Sequence, residues 1–292
     1  MDGFISKPRD YQLLSRVFSR TVITELAKYG KSSTIEAIIS ELGLDINKFA
    51  DVSLSSFFDS SYAALVRNYR NEYVFKNAIA EKVVRGRHKL SNATYVTEFR
   101  VGKSIVDAAV FNGTSTAYEI KTEYDSFERL ESQLHSYGQV FDKTYVVVPS
   151  SKVTKVLHII PETVGVYELT DKYSLSVIKE ASSNIENVCK HQILNSMRQS
   201  ELLSLIRDKF DYIPVKSPSQ QKKDCIELFL SFDKETAHKS FVSTLKARQL
   251  REFEKNIIKT LPRSLTSLIL SLRLNKKLLF NFHTCIMESR SI

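Results

Sequence analysis

Apolar side chains recur at two spacings along this chain, and the spacing separates helical from strand-like stretches. From residue 10 to residue 66 they recur every three or four positions, as at Tyr11, Leu14 and Val17, which predicts helices. Gly30 is a predicted helix end, and a capping box that begins at Ser33 predicts the start of the next helix. Two short helices around a glycine turn are typical of a helix-turn-helix, but no polar recognition helix follows, which favours a structural helical lobe.

A longer amphipathic pattern predicts one helix over residues 62–85 that ends near Gly86. The pattern then changes to alternation, which is typical of strands. Three strands are predicted, with an Asn112-Gly113 hairpin signal between the second and the third: Thr94–Arg100, Ser104–Phe111 and Ala117–Lys121.

The following stretch predicts a helix, a buried strand, a short helix and a further strand. Asp125 is the expected cap of the first helix, with Glu128 completing a capping box. The continuous apolar run Thr144–Pro149 is typical of a strand at the centre of a sheet, and Val164–Leu169 is the last predicted strand. Beyond residue 185 the periodicity is helical again, interrupted by a predicted linker at 213–221.

This order of elements predicts an α/β fold with a mixed central sheet flanked by helices. The expected organisation has three consecutive parts: a helical N-terminal lobe at 1–66, a core at 67–184, and a basic helical C-terminal region at 185–292.

Composition narrows the class of protein. The 292 residues are 42% hydrophobic and 26% charged, as in ordinary globular proteins, and lack an apolar run long enough for a transmembrane helix. The first residues do not form a signal-peptide pattern, and three widely spaced cysteines match no metal-binding spacing. We therefore expect a cytoplasmic protein with reduced thiols and no membrane partner.

The net charge of +9 is unevenly distributed. From Asn184 onward there are 19 Lys/Arg and 11 Asp/Glu, an excess of +8. A polyanionic partner such as nucleic acid is one interpretation, and a solvated basic helical surface is the other.

One group of polar residues lies where burial is costly. Glu119 and Lys121 form the chain's only Asp/Glu-x-Lys triplet, at the end of a predicted strand. Asp107 interrupts an apolar run in the strand before it, and Glu72 lies on the preceding helix. Carboxylates hold hard divalent cations, and a lysine two residues from a ligand shares its strand face, so this pattern favours phosphodiester hydrolysis.

The helix acid, the strand Asp and the strand Glu-x-Lys, followed by a helix and a buried strand, resemble the PD-(D/E)xK nuclease superfamily over residues 67–150. Gln133 and Tyr137 on the next helix resemble the Gln-x-x-x-Tyr motif of its RecB-like branch. The sequence of this region also resembles a poorly characterised bacterial family of predicted nucleases. The resemblance implies a restriction-endonuclease-like core. It also implies that Glu72, Asp107 and Glu119 bind Mg²⁺ or Mn²⁺. Lys121 would position the water, and Gln133 and Tyr137 would support the site.

Other chemistries find less support. The eight glycines form no phosphate-binding loop, and no paired-histidine helix motif is present. Glu98 and Glu123 are nearby acids for which a role in the site is less expected. His135 is expected on a helix surface.

The leading hypothesis is a divalent-metal-dependent nuclease that acts on DNA rather than RNA. Two alternatives remain: a catalytically silent nuclease-fold module that binds DNA or regulates, and an RNA-cleaving effector. The sequence leaves open whether the chain forms a homo-oligomer.

Strand geometry supplies a further expectation. Paired residues of an antiparallel hairpin share a face, and a two-residue Asn112-Gly113 turn would pair Asp107 with Tyr118. The carboxylates of Asp107 and Glu119 would then point to opposite faces. A shared site therefore predicts a turn of odd length or a bulge.

Overall fold

A computed structural model of the chain describes residues 7–44, 52–87, 92–211 and 217–288. The chain forms two compact units. One consists of Met1–Ser91 together with Leu250–Ile292, and the other of Asn92–Gln249. This grouping differs from the three consecutive segments expected from the sequence, because the first and last parts of the chain belong to one unit, and residues 185–249 belong to the other.

We call the first unit the helical unit. Its N-terminal part contains five α-helices among the residues that the structure describes: α1 (Pro8–Ser15), α2 (Arg20–Tyr29), α3 (Ser33–Glu41), α4 (Leu54–Asn68) and α5 (Glu72–Ala78). Gly30 ends α2 with φ +70°, as predicted. Ser32, one residue before the predicted Ser33, caps α3 by accepting a hydrogen bond from the Ile35 N–H. The helix boundaries therefore follow the capping residues.

The single helix predicted over 62–85 is wrong. The chain leaves helical geometry at Tyr69, and the Asn71 side chain accepts a hydrogen bond from the Val74 N–H to begin α5. A π-helical stretch, Ile79–Arg87, continues from α5 and contains Gly86. The apolar stripe runs across the break, which is why periodicity alone did not reveal it.

The second unit, which we call the sheet unit, is built on six strands among the described residues. Neighbouring strands follow chain order, and their bounds are β1 (Thr94–Val101), β2 (Ser104–Asn112), β3 (Thr114–Ile120), β4 (Lys143–Pro149), β5 (Gly165–Leu169) and β6 (Leu175–Lys179). β3, β4 and β5 are mutually parallel, and the other neighbours are antiparallel. The predicted mixed sheet is confirmed, and β6 is the strand that the sequence did not indicate.

Helices α6 (Leu130–Gly138) and α7 (Val153–Leu157) connect the parallel strands, as crossover connections require. β4 is buried at every position after Lys143, in agreement with its continuous apolar sequence. Arg129 precedes α6 without a side-chain cap, so the predicted capping box at Asp125 and Glu128 is wrong. Asp125 instead accepts hydrogen bonds from the main-chain N–H and the hydroxyl of Thr122.

Over residues 185–211 and 217–249 the structure shows four more α-helices of the sheet unit: α8 (Lys190–Asn195), α9 (Gln199–Phe210), α10 (Pro218–Leu230) and α11 (Lys234–Lys246). Their apolar side chains join those of α6 and the sheet in one core, where the Phe111 and Phe241 ring centroids lie 5.5 Å apart. The predicted linker at 213–221 lies partly outside the described residues, and Pro218–Gln221 begin a helix. Residues 185–249 thus complete the core around the sheet.

The helical unit ends with α12 (Glu252–Thr260), α13 (Thr266–Leu272) and α14 (Lys276–Glu288). Tyr73 of α5 donates a hydrogen bond to the Ser264 carbonyl at 2.6 Å, and the Asn77 amide bonds the Arg263 carbonyl at 3.0 Å. These bonds join α5 to the segment before α13. The three cysteines are free: Cys225 and Cys285 are buried, and Cys189 is half-buried. Among the described helices, none is long and apolar enough to cross a membrane.

Candidate active site

The hairpin between β2 and β3 has the odd-length turn that a shared site requires. Asn112 pairs with Thr114 around Gly113, whose φ is +72°. The same register pairs Ala108 with Tyr118, so Asp107 and Glu119 are in register rather than on opposite faces. The prediction that the Asn-Gly signal does not form a two-residue turn is confirmed. Glycine suits the turn because its φ is in the left-handed region.

Asp107 caps the end of the β2–β3 ladder. Its Oδ2 accepts a hydrogen bond from the Ile120 main-chain N–H at 2.7 Å. The last recorded pair of this ladder is Ala108 with Tyr118, so the side chain of Asp107 binds a main-chain donor beyond that pair. This contact fixes the Asp107 carboxylate against the end of β3, where the Glu-x-Lys triplet lies.

Glu119, Lys121 and Gln133 form a buried polar chain. The Lys121 ammonium lies 2.8 Å from Oε1 of Glu119 and donates a hydrogen bond to Oε1 of Gln133 at 2.9 Å. Only 1% of Glu119 and 8% of Lys121 is exposed. The two charges share one strand face because side chains alternate along a strand, and α6 presents Gln133 to them.

Tyr137 completes this network from the next turn of α6. Its ring is fully buried, and its hydroxyl lies 2.6 Å from Oε2 of Glu119 and 2.7 Å from the Ile105 carbonyl oxygen. Burial raises the pKa of Tyr137 above its ordinary value, and the negative charge of Glu119 raises it further. Tyr137 is therefore a protonated hydrogen-bond donor that orients the carboxylate.

The structure thus brings together five of the six residues that the sequence singled out: Asp107, Glu119, Lys121, Gln133 and Tyr137. Glu72 belongs to the helical unit, where it occupies the first position of α5 and forms an ion pair with Lys76 at 2.5 Å. Its side chain is 55% exposed. The assignment of Glu72 to the site stays a prediction.

The predicted set of three metal-binding carboxylates also stays a prediction. Within the part of the chain that the structure describes, no group of three or more His, Cys, Asp or Glu side chains is arranged to hold a metal ion. The sheet unit supplies two carboxylates, Asp107 and Glu119. Both oxygens of Glu119 already contact donors, namely Lys121 and Tyr137.

Glu98 lies beside this cluster in an unusual backbone conformation. The β1–β2 register pairs Thr97 with Ala108 and Phe99 with Val106, which leaves Glu98 opposite Asp107. Its φ is +54°, a region that non-glycine residues seldom occupy within a strand. Backbone strain of this kind is often found at functional sites. Glu123, the other nearby acid, is exposed in the turn after β3.

Sequence reasoning missed Lys152, which follows β4. Its ammonium donates hydrogen bonds to the Thr122 carbonyl at 2.6 Å and to the Asp125 carbonyl. Burial lowers the pKa of Lys152, the negative charges of Asp125 and Glu123 oppose this shift, and the positive charges of Lys155 and Lys121 add to it. Because β3 and β4 are parallel, residues just after each strand meet at one edge of the sheet, and this rule could have identified Lys152.

A second buried polar cluster connects β3 to α11 in the sheet unit. The Ser115 hydroxyl lies 2.7 Å from Nε2 of His238 and accepts a hydrogen bond from the Asp142 N–H. The residue types match a hydrolase triad, but Ser115 is fully buried. The Asp142 carboxylate binds the hydroxyls of Thr114 and Ser183. The cluster therefore has a structural role.

Comparison with known proteins finds similarity to a phage protein. The family described as Bacteriophage P4 protein cII matches residues 66–269, more than half of the chain. A curated relative, Protein cII of Enterobacteria phage P4, is 28% identical over 148 residues, which cover 49% of this chain and 54% of the relative. The chain thus spans about half the length of this relative.

Among solved structures, a protein of unknown function from Silicibacter pomeroyi matches 48% of this chain and 93% of its own, with 15% identity and a TM-score of 0.29. This likeness is too slight to support an argument.

Proposed function

The chain belongs to the bacteriophage P4 protein cII family, and for this member we propose a divalent-metal-dependent nuclease that hydrolyses phosphodiester bonds, in DNA rather than RNA. The observation that carries the proposal is the buried pair of Glu119 and Lys121 at the end of β3, beside Asp107. The resemblance to PD-(D/E)xK nucleases adds the reaction class.

A structural explanation of the buried pair is weak on energetic grounds. Desolvation of two charges costs several kcal/mol, and a well-packed apolar pair of similar volume is often as stable or more stable. The surrounding core supplies apolar partners in plenty, since Leu130 and Leu134 on the same helix as Gln133 are buried. A charged cluster at the edge of such a core therefore favours a role in binding or chemistry.

The donor set suits Mg²⁺ or Mn²⁺. Hard cations prefer carboxylate oxygens, and Mg²⁺ is commonly held by one or two carboxylates with water completing the shell. Asp107 and Glu119 would hold it, since a carboxylate oxygen with two lone pairs can bind a cation and a hydrogen-bond donor at the same time. A bound cation would neutralise phosphate charge and activate a water molecule.

The protein's own groups would act by position and charge. An ammonium has three donor hydrogens, and Glu119 and Gln133 account for two donor directions of Lys121. The third could bind the attacking water or a phosphate oxygen. Tyr137 would keep Glu119 in one orientation, and Gln133 would do the same for Lys121.

The test is a cleavage assay with the full-length chain on panels of single- and double-stranded DNA and RNA, with Mg²⁺ or Mn²⁺. Wild-type protein should cut, and a chelator should stop it. Lys121→Met and Asp107→Asn should each reduce the rate by about 10²- to 10³-fold. Asp107→Asn retains an oxygen that can accept the Ile120 N–H bond, which protects the fold.

Lys190→Met is the matched control for the loss of a half-buried lysine. Lys190 donates hydrogen bonds to the carbonyls of Leu230 and Phe232 and has no contact with the candidate site among those recorded. Its replacement should affect stability and leave the rate per folded molecule unchanged. Wild-type protein that cuts none of the panels, or unchanged cleavage by Lys121→Met, would contradict the proposal.

A catalytically silent nuclease-fold module is the second candidate. The observation that favours it is the engagement of both Glu119 oxygens by Lys121 and Tyr137, which satisfies the carboxylate without a metal. Its helix-turn-helix version is less supported, because Glu36 and Glu41 are among the exposed residues of α3 and would repel phosphate. Binding without cleavage in the same panels would favour this candidate.

A further inference from the structure

The net charge of the chain lies entirely in the helical unit. Residues 1–91 and 250–292 contain 22 Lys/Arg and 13 Asp/Glu, a net charge of +9. The sheet unit, residues 92–249, contains 20 of each and has no net charge. The excess that the sequence placed in the last third of the chain thus joins basic residues from the N-terminal part.

The densest part of this charge lies in α12, α13 and α14. From Lys255 to Met287, 33 consecutive residues include six Lys/Arg and no Asp or Glu. The Lys276 ammonium lies 5.4 Å from the centre of the Phe253 ring, and the Thr260 hydroxyl lies 2.9 Å from Nε2 of His283. Both contacts join residues 23 positions apart, so α12 and α14 lie side by side and run in the same direction.

The exposed side of α14 combines cations with a large apolar ring. Lys276 and Lys277 are exposed in its first turn, and Phe280, three and four residues further, is 61% exposed on the same side of the helix. A phenyl ring exposed to this extent beside two lysines has no role in the core of the unit.

The C-terminal end of α2, which packs against α14, carries a further lysine and a second exposed ring. The Asn281 amide donates a hydrogen bond to the Ala27 carbonyl at 3.3 Å, which holds α14 against α2. A groove between these helices is lined in part by Lys28, Phe280 and Thr284. Next to Lys28 the side chain of Tyr29 is 70% exposed.

We propose that this basic-aromatic surface, comprising Lys28, Tyr29, Lys276, Lys277 and Phe280, binds single-stranded nucleic acid. Exposed aromatic rings stack with unpaired bases, and lysines between them neutralise the backbone phosphates. In a duplex the bases already stack on one another, so the two rings would gain little. The surface fits DNA or RNA strands through the same chemistry.

The biological use of this surface rests on the proposed function, for which it would select the strand form of the substrate. Binding itself is independent of cleavage and is measured with a chelator present. The probes are fluorescent dT20 and rU20, a 20-base-pair duplex, and vesicles containing phosphatidylglycerol. The full-length protein should bind the single strands more tightly than the duplex or the vesicles.

Two sets of variants test the surface. Tyr29→Ala and Phe280→Ala should each weaken binding by roughly 5- to 150-fold, while Tyr29→Phe, which keeps the ring, should bind like the wild type. Lys276→Gln with Lys277→Gln should lower the slope of log affinity against log salt by about 1.4, or 0.7 for each phosphate contact. Tyr29, Lys277 and Phe280 have exposed side chains, so their substitution should leave the unfolding temperature unchanged. The Lys276 substitution also removes the contact with the Phe253 ring and should lower the unfolding temperature slightly.

Lys222→Gln with Lys223→Gln is the matched control, since these exposed neighbours lie on α10 of the uncharged unit. The control should bind single strands like the wild type. The proposal fails if no probe binds, if the duplex or the vesicles bind more tightly, if both ring variants bind normally, or if the control pair loses as much affinity as the surface pair. Cleavage without this binding would reject the surface alone, and binding without cleavage would reject the nuclease alone.

Discussion

The hydroxyl of Tyr137 lies 2.6 Å from a carboxylate oxygen of Glu119 and 2.7 Å from the Ile105 carbonyl oxygen. One phenolic proton serves two acceptors, and the carboxylate is the stronger acceptor when ionised. The raised pKa of Tyr137 keeps this proton in place. Tyr137 therefore has two roles: its ring packs in the core, and its hydroxyl orients the Glu119 carboxylate. A change that keeps the ring and removes the hydroxyl can separate them.

Tyr137→Phe retains the buried ring and removes only the donor. We expect a loss of about 1–2 kcal/mol in the free energy of unfolding, because the Glu119 oxygen loses a buried partner. We also expect cleavage to fall by about 10- to 100-fold, because the carboxylate is no longer oriented. Chemical denaturation and the cleavage assay measure the two effects.

Tyr145→Phe is the control for Tyr137→Phe. Its hydroxyl donates a hydrogen bond to Oε2 of Glu180 at 2.6 Å elsewhere on the same sheet. This substitution should lower stability and leave the cleavage rate of the folded protein unchanged. Equal rates for both variants would show that Tyr137 acts only in the fold.

Lys152→Met tests whether hydrogen bonds from Lys152 stabilise the turn after Lys121. The substitution removes the hydrogen bonds to the Thr122 and Asp125 carbonyls, and we expect it to cost about 1.5 kcal/mol of unfolding free energy. Lys155→Met is the control. The ammonium groups of Lys152 and Lys155 lie 5.3 Å and 5.5 Å from the centre of the Phe127 ring, and of the two only Lys152 is seen to bond the turn. Equal stability of the two variants would argue that these hydrogen bonds do not stabilise the turn.

His238 makes stability depend on pH. Burial lowers its pKa, and Asp142 opposes this only in part, so the folded protein keeps the imidazole neutral where the unfolded chain binds a proton. Stability should therefore fall as pH drops below about 6.5, with a slope of up to about 1.4 kcal/mol per pH unit. His238→Gln should reduce this slope in urea titrations at several pH values, and an unchanged slope would contradict the prediction.

Asp142 adds a separate dependence at lower pH. Burial tends to raise the pKa of its carboxyl, but hydrogen bonds from Ser183, Thr114 and the Asn184 N–H outweigh burial and hold the pKa below its ordinary value. Its contribution to stability is present above the unfolded pKa of about 3.9 and is lost as pH falls through the folded pKa. The slope between pH 5 and 6.5 should therefore report on His238 rather than Asp142.

Glu98→Gly should stabilise the protein by about 1 kcal/mol, because glycine adopts φ +54° without strain. Glu98→Ala removes the carboxylate and keeps the strained Cβ, so it should not stabilise. If cleavage falls in both variants, the carboxylate contributes to the site. If thermal unfolding shows no gain for glycine over alanine, the strain argument fails.

Local sequence patterns determined most of the sheet and the contents of the cluster. Five of the six strands were predicted, because alternation and continuous apolar runs are visible within a few residues. Asp107, Glu119 and Lys121 stood out because charges are costly in apolar strands. Since side chains alternate between the two faces of a strand, a site shared by Asp107 and Glu119 then required the turn at Gly113 to be of odd length. These inferences need only nearest neighbours in the chain.

Tertiary structure decided what depends on residues distant in sequence. The break between α4 and α5 rests on one capping amide within an uninterrupted apolar stripe. Lys152 reaches the turn after Lys121 because two parallel strands end at one edge of the sheet. The helices after residue 250 join the N-terminal helices, and those before it cover the sheet. Net charge became a property of one unit for the same reason: packing, which depends on shape and burial across the whole chain, groups residues that the linear order separates.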